Sequence, residues 1–543
     1  MKKIILLILV LLNISCKDIQ QDISSVKTVQ DTTKVSKETE YKVLDSQFIS
    51  KDSLWAPFDA NLAAFSDARY KELFPMIFDQ NIPSLQKMIQ NGQFSYEELV
   101  LFYLFRIEKY DRENDLSLNS VISLNPNILK EARQRDNALN SGDKKHPIFG
   151  IPVLLKDNID TKNMPTTAGS VALQKNRTDD AFIVKRLKEN GALILGKANL
   201  SEWAYFFCEG CPSGYSAIGG QTLNPYGRKI LDTGGSSSGS AVAVAANFVT
   251  AAIGTETSGS ILSPSSQNST VGLKPTIGIL SRGGIVPISS TLDTPGPITK
   301  TVIDNAILFS AMTGKDLKDP ASAANNNNTK DFYSSLGDAS LKGKRFGVIK
   351  KLMKDPLYVA ALKDLKSAGA VIIEFEAEDI QLPNFTRLLN LDMKKDLSEY
   401  FKNYGGDVGF KSVGDIVVYN NQDSISRAPY GQKLFYGILT DSATDEEFMA
   451  IKATLSKNGK QFFKVPMKEH DLDGILSINN YHAGFAAVAK YPALTVPMGY
   501  AETNAPEGLT FIAKPNNEAE LFAWAFAYEK ATQKRKSPTN YTN

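Results

Sequence analysis

Residues 234–261 read GGSSSGSAVAVAANFVTAAIGTETSGSI, with a glycine- and serine-rich loop at each end and apolar residues between them. The apolar middle predicts a small-residue helix over 241–248 and a buried strand over 249–253. Glycine–serine runs are often flexible linkers, but the first loop stands directly before the predicted helix. A loop at a helix N-terminus presents backbone N–H groups in a constrained site, so we interpret both loops as parts of a functional site.

Strands and helices are predicted to alternate around this region. Upstream, an apolar run over 148–155 predicts a buried strand that ends at Lys156. A predicted helix over 181–189 and a second buried strand over 192–195 follow it. Such alternation favours an α/β fold in which a mixed or parallel sheet lies between layers of helices. We expect one large domain of this α/β/α type.

The remaining segments extend this domain, which we expect to cover residues 61–536. Ser95 and Glu98 form a capping-box pattern, which predicts the start of an amphipathic helix that continues to Tyr110. The Asn- and Lys-rich stretch over 316–469 shows broken helical patterns, and we interpret it as a variable insertion on the substrate side of a shared core. Residues 537–543 are expected to be a disordered tail. Further helix and strand candidates lie over 84–90, 474–478, 493–496 and 521–531.

Composition and charge are those of an ordinary globular protein. Of the 543 residues, 42% are hydrophobic and 22% are charged, which is enough to bury a sizeable core. The formal net charge of +2 indicates neither a nucleic-acid partner nor attraction to an anionic membrane. The short basic run from Lys534 to Lys536 is interpreted as a solvated end.

The N-terminus is typical of an export signal. Two lysines precede an apolar run over 4–12 that is too short to span a bilayer and fits the apolar part of a signal peptide. The following Ser15-Cys16 resembles a bacterial lipoprotein cleavage site, which predicts a signal peptide over 1–15 and lipidation of Cys16. An ordinary secretory signal is the alternative, and either one exports the protein to the periplasm or the cell surface. Residues 16–60 lack apolar periodicity and are expected to form a flexible tether.

Cysteine and histidine are scarce. Cys208 and Cys211 could form a tight disulfide in an exported protein, while a redox motif or a metal site has less support. A Ser-His-Asp enzyme would need His146, His470 or His482 beside its nucleophile, and none of them is near the serine-rich loops in sequence. We therefore expect a base of another kind.

Motifs spread along the chain resemble the amidase signature family. The two loops are preceded by GIPVLLKDN over 150–158, and the family's order of motifs is kept from about residue 84 to residue 532. The resemblance implies a large α/β domain that hydrolyses amides and needs neither a cofactor nor a metal. Further matching stretches lie over 167–170, 196–202, 271–276, 293–297 and 491–497.

Carried over by position, the resemblance implies a catalytic triad of Ser260 as nucleophile, Ser236 as bridging serine and Lys156 as base. A serine hydroxyl is a weak nucleophile until a base takes its proton, and Lys156 can do so only when it is neutral. Its pKa would have to fall by about 3 from the ordinary value near 10.4, which burial can cause. The resemblance also implies a cis peptide bond before Ser236, which Gly235 would help to accommodate.

The second loop is expected to form an oxyanion hole. Its small residues let successive N–H groups point at one spot, and the resemblance assigns this role to the backbone of Thr257, Ser258, Gly259 and Ser260. Ser237 is expected to support the site. Many members of the family have Gly where Ser258 stands.

The expected substrate is a C-terminal peptide amide or a small carboxamide, hydrolysed to a carboxylate and ammonia or an amine. Some members of the family have Arg where Leu262 stands, and the loss of that charge disfavours a glutamine-type substrate. The stretches over 212–217 and 224–226 look closer to the peptide-amidase-like branch. We expect membrane contact through the lipid anchor only, no nucleic acid, and a monomer or homodimer.

Two other functions compete with this one. Residues 235–239 also match the nucleophile elbow of α/β-hydrolases, with Ser237 as the nucleophile of an esterase and His470 or His482 as base. That elbow needs a strand directly before it, and residues 224–233 carry proline, glycine and charges instead. A catalytically inactive binding lipoprotein is the third possibility, against which the three intact triad positions argue.

Overall fold

The computed structural model describes residues 38–112, 114–139, 144–325 and 331–542. Its internal contacts divide the chain into two units, Met1–Glu38 and Thr39–Asn543. Every helix and strand of the described residues belongs to the second unit, which is a single large α/β domain. The predicted signal peptide, Cys16 and the first part of the expected tether lie outside the described residues.

One mixed sheet of eleven strands forms the centre of the domain. Counting a separate pair, the described residues contain thirteen strands. They are β1 (Val121–Leu124), β2 (Pro152–Lys156), β3 (Leu193–Ala198), β4 (Tyr215–Ser216), β5 (Gly220–Gln221), β6 (Ala251–Glu256), β7 (Val271–Lys274), β8 (Thr294–Thr299), β9 (Arg345–Ile349), β10 (Val371–Phe375), β11 (Gly474–Ile478), β12 (Ala493–Tyr500) and β13 (Pro506–Ile512). The sheet order is β1-β3-β2-β6-β8-β7-β12-β13-β11-β9-β10, and β4 and β5 form a separate pair. β2 runs parallel to β3 and β6, and β9 runs parallel to β10 and β11, while the other neighbours are antiparallel. The predicted α/β fold with a mixed sheet is confirmed.

Helices cover this sheet. They are α1 (Lys51–Trp55), α2 (Asp59–Ala64), α3 (Asp67–Ile77), α4 (Ile82–Gln90), α5 (Tyr96–Tyr110), α6 (Ile128–Ala138), α7 (Phe182–Glu189), α8 (Ser238–Ala245), α9 (Leu262–Gln267), α10 (Val302–Met312), α11 (Pro320–Ala324), α12 (Pro356–Ser367), α13 (Phe385–Asn403), α14 (Val413–Asn421), α15 (Ser424–Arg427), α16 (Lys433–Thr440), α17 (Asp445–Glu469), α18 (Ala483–Ala489) and α19 (Glu518–Thr532). Within the described ranges, no helix combines the length and the apolar character that a membrane crossing needs.

The sheet brings Lys156 and the second loop together at the carboxyl ends of two neighbouring strands. All residues of β2 and β6 are buried, as their continuous small and apolar runs predict for strands covered on both faces. The two strands are parallel neighbours, so their carboxyl ends lie side by side. Lys156 is the last residue of β2, and Glu256 is the last residue of β6. α8 packs against β6, and this contact places the first loop near the same strand ends.

The folded unit begins earlier than expected. We expect a flexible tether through residue 60, but the chain packs against the domain from Thr39 onward. Leu54, Trp55 and Phe58 are buried in the main apolar core. These apolar residues are too few to form a periodic pattern, and their partners are distant in sequence, so periodicity could not reveal them.

The stretch over 316–469 is more than a covering insertion. Its first half supplies β9 and β10 to the central sheet, and β9 also pairs with β11. Its second half, from α13 to α17, contributes to a separate apolar cluster that includes Met393 and Phe435. β10 is an edge strand that opens with an apolar run over 371–373, but this run lies in the stretch that we interpreted as an insertion, so no strand was predicted there.

The C-terminal tail packs on the domain instead of being disordered. Tyr541 is fully buried in the main core, and Arg106 Nη2 donates a hydrogen bond of 2.6 Å to its carbonyl oxygen. Arg535, expected in a solvated end, is largely buried and forms an ion pair with Asp79. Single anchors inside a polar stretch leave no periodic signal in the sequence.

Candidate active site

Lys156 ends β2 with its amine inside the protein. The residue is fully buried, and Nζ donates hydrogen bonds to Ser236 Oγ at 2.7 Å, Thr255 Oγ1 at 2.9 Å and Thr255 O at 3.1 Å. All three acceptors are uncharged. Burial lowers the pKa of Lys156 to about 7, although the nearby Asp293 and Glu256 act to raise it. A large share of this amine is therefore neutral at physiological pH.

The first loop carries Ser236 to this amine. The peptide bond between Gly235 and Ser236 is cis, as the family resemblance implies. Ser236 is fully buried, and its carbonyl oxygen accepts the N–H of Ser201 at 3.0 Å. Gly235 has no room for a side chain, because a β-carbon there would lie 2.6 Å from Ser201 Oγ. α8 begins at Ser238, so the loop closes onto a helix as predicted.

The second loop keeps Ser260 accessible. Ser260 retains 9% exposure, whereas the two side chains with which it is expected to work are fully buried. The N–H of Ser237 donates to Ser260 O at 3.1 Å, which joins the two loops. Glu256 Oε2 accepts the N–H groups of Ile261 and Leu262 at 2.8 and 3.0 Å, so the far end of the loop is also held.

Gly259 gives the second loop its turn. Its φ is +90°, in the region that glycine adopts without strain. A β-carbon on Gly259 would stand 2.9 Å from Asn480 Nδ2, so this face of the loop is closely covered. Ser258 is half-buried, and a β-carbon on Gly484 would lie 3.8 Å from its Oγ. The hydroxyl that distinguishes Ser258 from the family's usual glycine therefore fits without a clash at this neighbour.

Asp293 holds the second loop from the side. Its Oδ1 accepts a hydrogen bond from Thr257 Oγ1, and its Oδ2 accepts the N–H groups of Ile288 and Ser289 at 2.8 and 2.9 Å. Burial raises the pKa of Asp293, while these hydrogen bonds lower it. The sequence placed Asp293 in a family-like stretch but gave it no role, because the role depends on its contact with the loop.

A pocket opens beside Lys156 and this loop. Its wall is mixed, with apolar side chains beside hydroxyl, amide and charged groups that include Arg282 and Asp293. It is lined by Asn158, Ala204, Thr255, Thr257, Arg282, Ile285, Val286, Ile288, Asp293, Thr294 and Pro295.

Comparison with known proteins identifies the family. The family model named Amidase matches residues 98–447, which is more than half of the chain. The chain belongs to the amidase signature family.

Individual relatives agree with this assignment. A probable amidase of Arabidopsis thaliana is 36% identical over 489 residues, which cover 85% of this chain and 92% of the relative. The crystal structure of an amidase family protein from Bacillus anthracis str. Ames has a TM-score of 0.87 and 40% identity, covering 92% of this chain and 99% of that chain. The native peptide amidase from Stenotrophomonas maltophilia has a TM-score of 0.80 and 38% identity, covering 85% and 98%. This amidase is thus a hydrolase of amide bonds.

In this amidase, the Ser237 hydroxyl is hydrogen-bonded to the backbone of β6. Its Oγ donates to Thr255 O at 3.1 Å and accepts the N–H of Thr255 at 3.2 Å, and the side chain is fully buried. No strand directly precedes it within the described residues. A nucleophile elbow would need an exposed hydroxyl at the end of a strand, so this geometry disfavours the esterase alternative.

The histidines of this amidase have other partners. His482 shares a hydrogen bond of 2.6 Å with Ser477 Oγ, and burial lowers its pKa to about 4. The rings of His146 and His470 pack against aromatic side chains. Among the described residues, none of these contacts involves the serine-rich loops, which agrees with the expectation of a different base.

Cys208 and Cys211 form a disulfide, one of the possibilities that the sequence left open. They follow a turn in which Trp203 and Ala204 have positive φ, a backbone that is uncommon outside glycine. The Trp203 ring is buried 5.3 Å from the ring of Phe435. Ala204 lines the pocket, so the turn that precedes the disulfide forms part of the border of the site.

Lys197 and Asp157 form a buried ion pair next to the site. Their charged atoms are 2.9 Å apart, and both side chains are fully buried. Asp157 follows Lys156 directly, and its Oδ2 also accepts the N–H of Thr167 at 3.2 Å. Both residues lie in family-like stretches of the sequence, but only the pairing of β2 with β3 brings them together.

Proposed function

We propose that this amidase converts carboxamides to carboxylates through an acyl-enzyme on Ser260, with Ser236 as bridging serine and Lys156 as base. The observation that carries this proposal is the 2.7 Å contact between Lys156 Nζ and Ser236 Oγ in a fully buried setting. A base works best when its pKa lies near the working pH, and a buried amine with a pKa of about 7 meets that condition.

Neutral Lys156 has the correct number of donors and acceptors for this role. In the protonated state Nζ donates to Ser236 Oγ and to both Thr255 oxygens. Once neutral, the amine can keep two N–H groups for the Thr255 oxygens and use its lone pair to accept the Ser236 proton. Ser236 can then give its proton to the amine while it accepts the proton of Ser260. Ser260 Oγ forms a bond to the carboxamide carbon, and the carbonyl π electrons move onto oxygen.

The remaining steps reverse this proton path. The backbone N–H groups of Thr257, Ser258, Gly259 and Ser260 stabilise the negative oxygen. When the C–N bond breaks, the proton held by Lys156 returns through Ser236 to the nitrogen, which leaves as ammonia or an amine. Water then attacks the ester carbon by the same relay, and the carboxylate leaves while Ser260 regains its proton.

C-terminal peptide amides and small carboxamides are the substrates that we propose. The 38% identity to a peptide amidase supports the first class. Leu262, which stands where some members of the family carry Arg, is buried in an apolar cluster and brings no positive charge to the site.

A fluorophosphonate probe tests the mechanism without knowledge of the substrate. We expect label on Ser260, mapped by mass spectrometry, that is lost in Ser260→Ala and strongly slowed in Lys156→Ala. Ammonia release from peptide amides should be lost in the same two variants. Label on Ser237 would instead support the esterase alternative. Absence of both label and amide turnover would support an inactive binding protein.

We also propose that the protein is exported and lipidated at Cys16. The proposal rests on the apolar run over 4–12 with its following cysteine, and the disulfide between Cys208 and Cys211 is consistent with an oxidising compartment. Metabolic labelling with a radioactive fatty acid should mark the wild-type protein and not Cys16→Ser. A wild-type protein that is exported without label would indicate an ordinary secretory signal.

A further inference from the structure

Asn480 presents an amide beside the second loop. It lies in the turn between β11 and α18, and its side chain packs on Gly259, one residue before Ser260. The residue is half-buried. Among the described residues, the Asn480 side chain has no hydrogen-bond partner, although backbone and side chains around it are well bonded. An amide in this position is available to a bound molecule.

The turn that carries Asn480 is firmly held. Asn479 N–H donates to Gly508 O at 2.9 Å, and Asn479 Oδ1 accepts the N–H of Gly508 at 2.7 Å. Thr510 Oγ1 donates to Asn479 O at 2.6 Å. Ala483 N–H donates to Asn480 O at 3.0 Å and closes the turn. A side chain on such a fixed backbone loses little freedom when it binds a ligand, which favours recognition.

The chemistry of this amide points to a peptide group. A carboxamide side chain offers both a donor and an acceptor, as a peptide group does. In the proposed reaction the scissile carbonyl oxygen is taken up by the N–H groups of the second loop, and its nitrogen leaves. A hydrogen-bonding group against Gly259 is then free to bind the next polar group of the substrate.

We propose that Asn480 is a specificity-determining residue that hydrogen-bonds the peptide group adjoining the scissile carboxamide. This inference rests on the proposed amidase mechanism and narrows its substrate class to acylated amino acid amides and longer peptide amides. Simple carboxamides lack the adjoining peptide group, so they gain nothing from Asn480.

A matched pair of substrates tests this selectivity. N-acetylphenylalanine amide and 3-phenylpropanamide share the ring, the chain and the scissile amide, and they differ by the acetylamino group. We expect Asn480→Ala to lower kcat/KM for the first substrate about tenfold, the effect of one lost hydrogen bond, and to change the second less than twofold. Asn480→Asp, which keeps the shape and the turn preference, should discriminate in the same direction.

Two controls separate the possible failures. Asn403→Ala alters an exposed asparagine at the end of α13 and should leave both substrates unchanged. Equal losses on both substrates in the Asn480 variants, or no loss on either, would overturn the role of Asn480. A wild-type protein that releases ammonia from neither substrate, or a Ser260→Ala variant that retains full activity, would instead overturn the proposed function on which it rests.

Discussion

Lys156 determines the pH range of the proposed reaction, because only its neutral amine can accept a proton. Burial lowers the pKa of Lys156 to about 7. We therefore expect kcat/KM for a neutral amide to rise about tenfold per pH unit below pH 7 and to level off above it. Glu202, a buried carboxyl whose pKa is raised to about 8, titrates in a similar range. Glu202→Gln should keep the wild-type profile, and a profile that shifts with this variant would contradict the assignment to Lys156.

Lys156 should also lower the free energy of unfolding, because its amine is buried. An unfolded lysine has a pKa near 10.4, so between about pH 7 and pH 10 the unfolded chain binds more protons than the folded chain, and stability rises with pH. Lys156→Met removes this dependence. We expect the variant to be inactive and more stable by about 2 kcal/mol at pH 7, after the loss of three hydrogen bonds. The gain should shrink toward pH 10 in thermal or urea unfolding, and a gain that grows with pH would refute this explanation.

Only some residues of the candidate site could be predicted from the sequence. The resemblance to the amidase signature family implied Lys156, Ser236 and Ser260 as candidates, because its motifs keep such residues in a fixed order. Thr255 lies in the stretch that indicated a functional site but was given no role, and Asn480 lies in no motif. Their relation to the site arises when parallel strands and a distant turn meet, which a single sequence does not encode locally.

At the scale of elements, α13 supports the second loop through a chain of hydrogen bonds. Asp392, buried on α13, accepts a hydrogen bond from Ser289 Oγ and lies 3.1 Å from Lys452 Nζ on α17. The backbone N–H of Ser289 donates to Asp293, which in turn holds Thr257. The stretch that we interpreted as a variable insertion therefore reaches the second loop through these hydrogen bonds.

Asp392→Ala should weaken both stability and turnover. It leaves the Ser289 hydroxyl and the Lys452 amine without their acceptor, which we expect to cost about 2 kcal/mol in denaturant unfolding. Because Thr257 is held less firmly, kcat should fall by about tenfold with little change in KM. Asp407→Ala, at an exposed site, is the matched control. Wild-type kcat in a folded Asp392→Ala variant would show that this chain of contacts does not reach the reaction.

Elements with a strong local signal were predicted, but not all with accurate bounds: the helix predicted over 241–248 lies at Ser238–Ala245, and the strand predicted over 249–253 lies at Ala251–Glu256. The capping box at Ser95 opens α5, and the predicted strand over 474–478 coincides with β11. β9 and β10 were missed although both carry apolar residues, because the whole stretch over 316–469 was interpreted as an insertion with broken helical patterns. An element that is stabilised by distant partners needs no periodicity of its own.

At the scale of the whole molecule, the sequence predicted one α/β domain but misplaced its ends. Alternating buried strands and amphipathic helices determine the layered architecture, and that pattern is strong between residues 148 and 253. The ends are held by isolated anchors, Trp55 and Phe58 on one side and Tyr541 on the other. In the sequence these residues stand among polar neighbours, and such a composition predicts a tether or a tail.

Two truncated chains test where the folded unit begins. A chain that starts at residue 39 keeps every apolar contact of the described N-terminal segment, whereas a chain that starts at residue 61 loses the buried side chains of Leu54, Trp55 and Phe58. We expect the shorter chain to lose about 4 kcal/mol, which corresponds to a thermal midpoint several degrees lower. The chain starting at residue 39 should unfold with the full-length protein and serves as the control. Equal midpoints for both truncations would mean that residues 39–60 act as the flexible tether expected from their composition, and that their contacts add nothing to the stability of the domain.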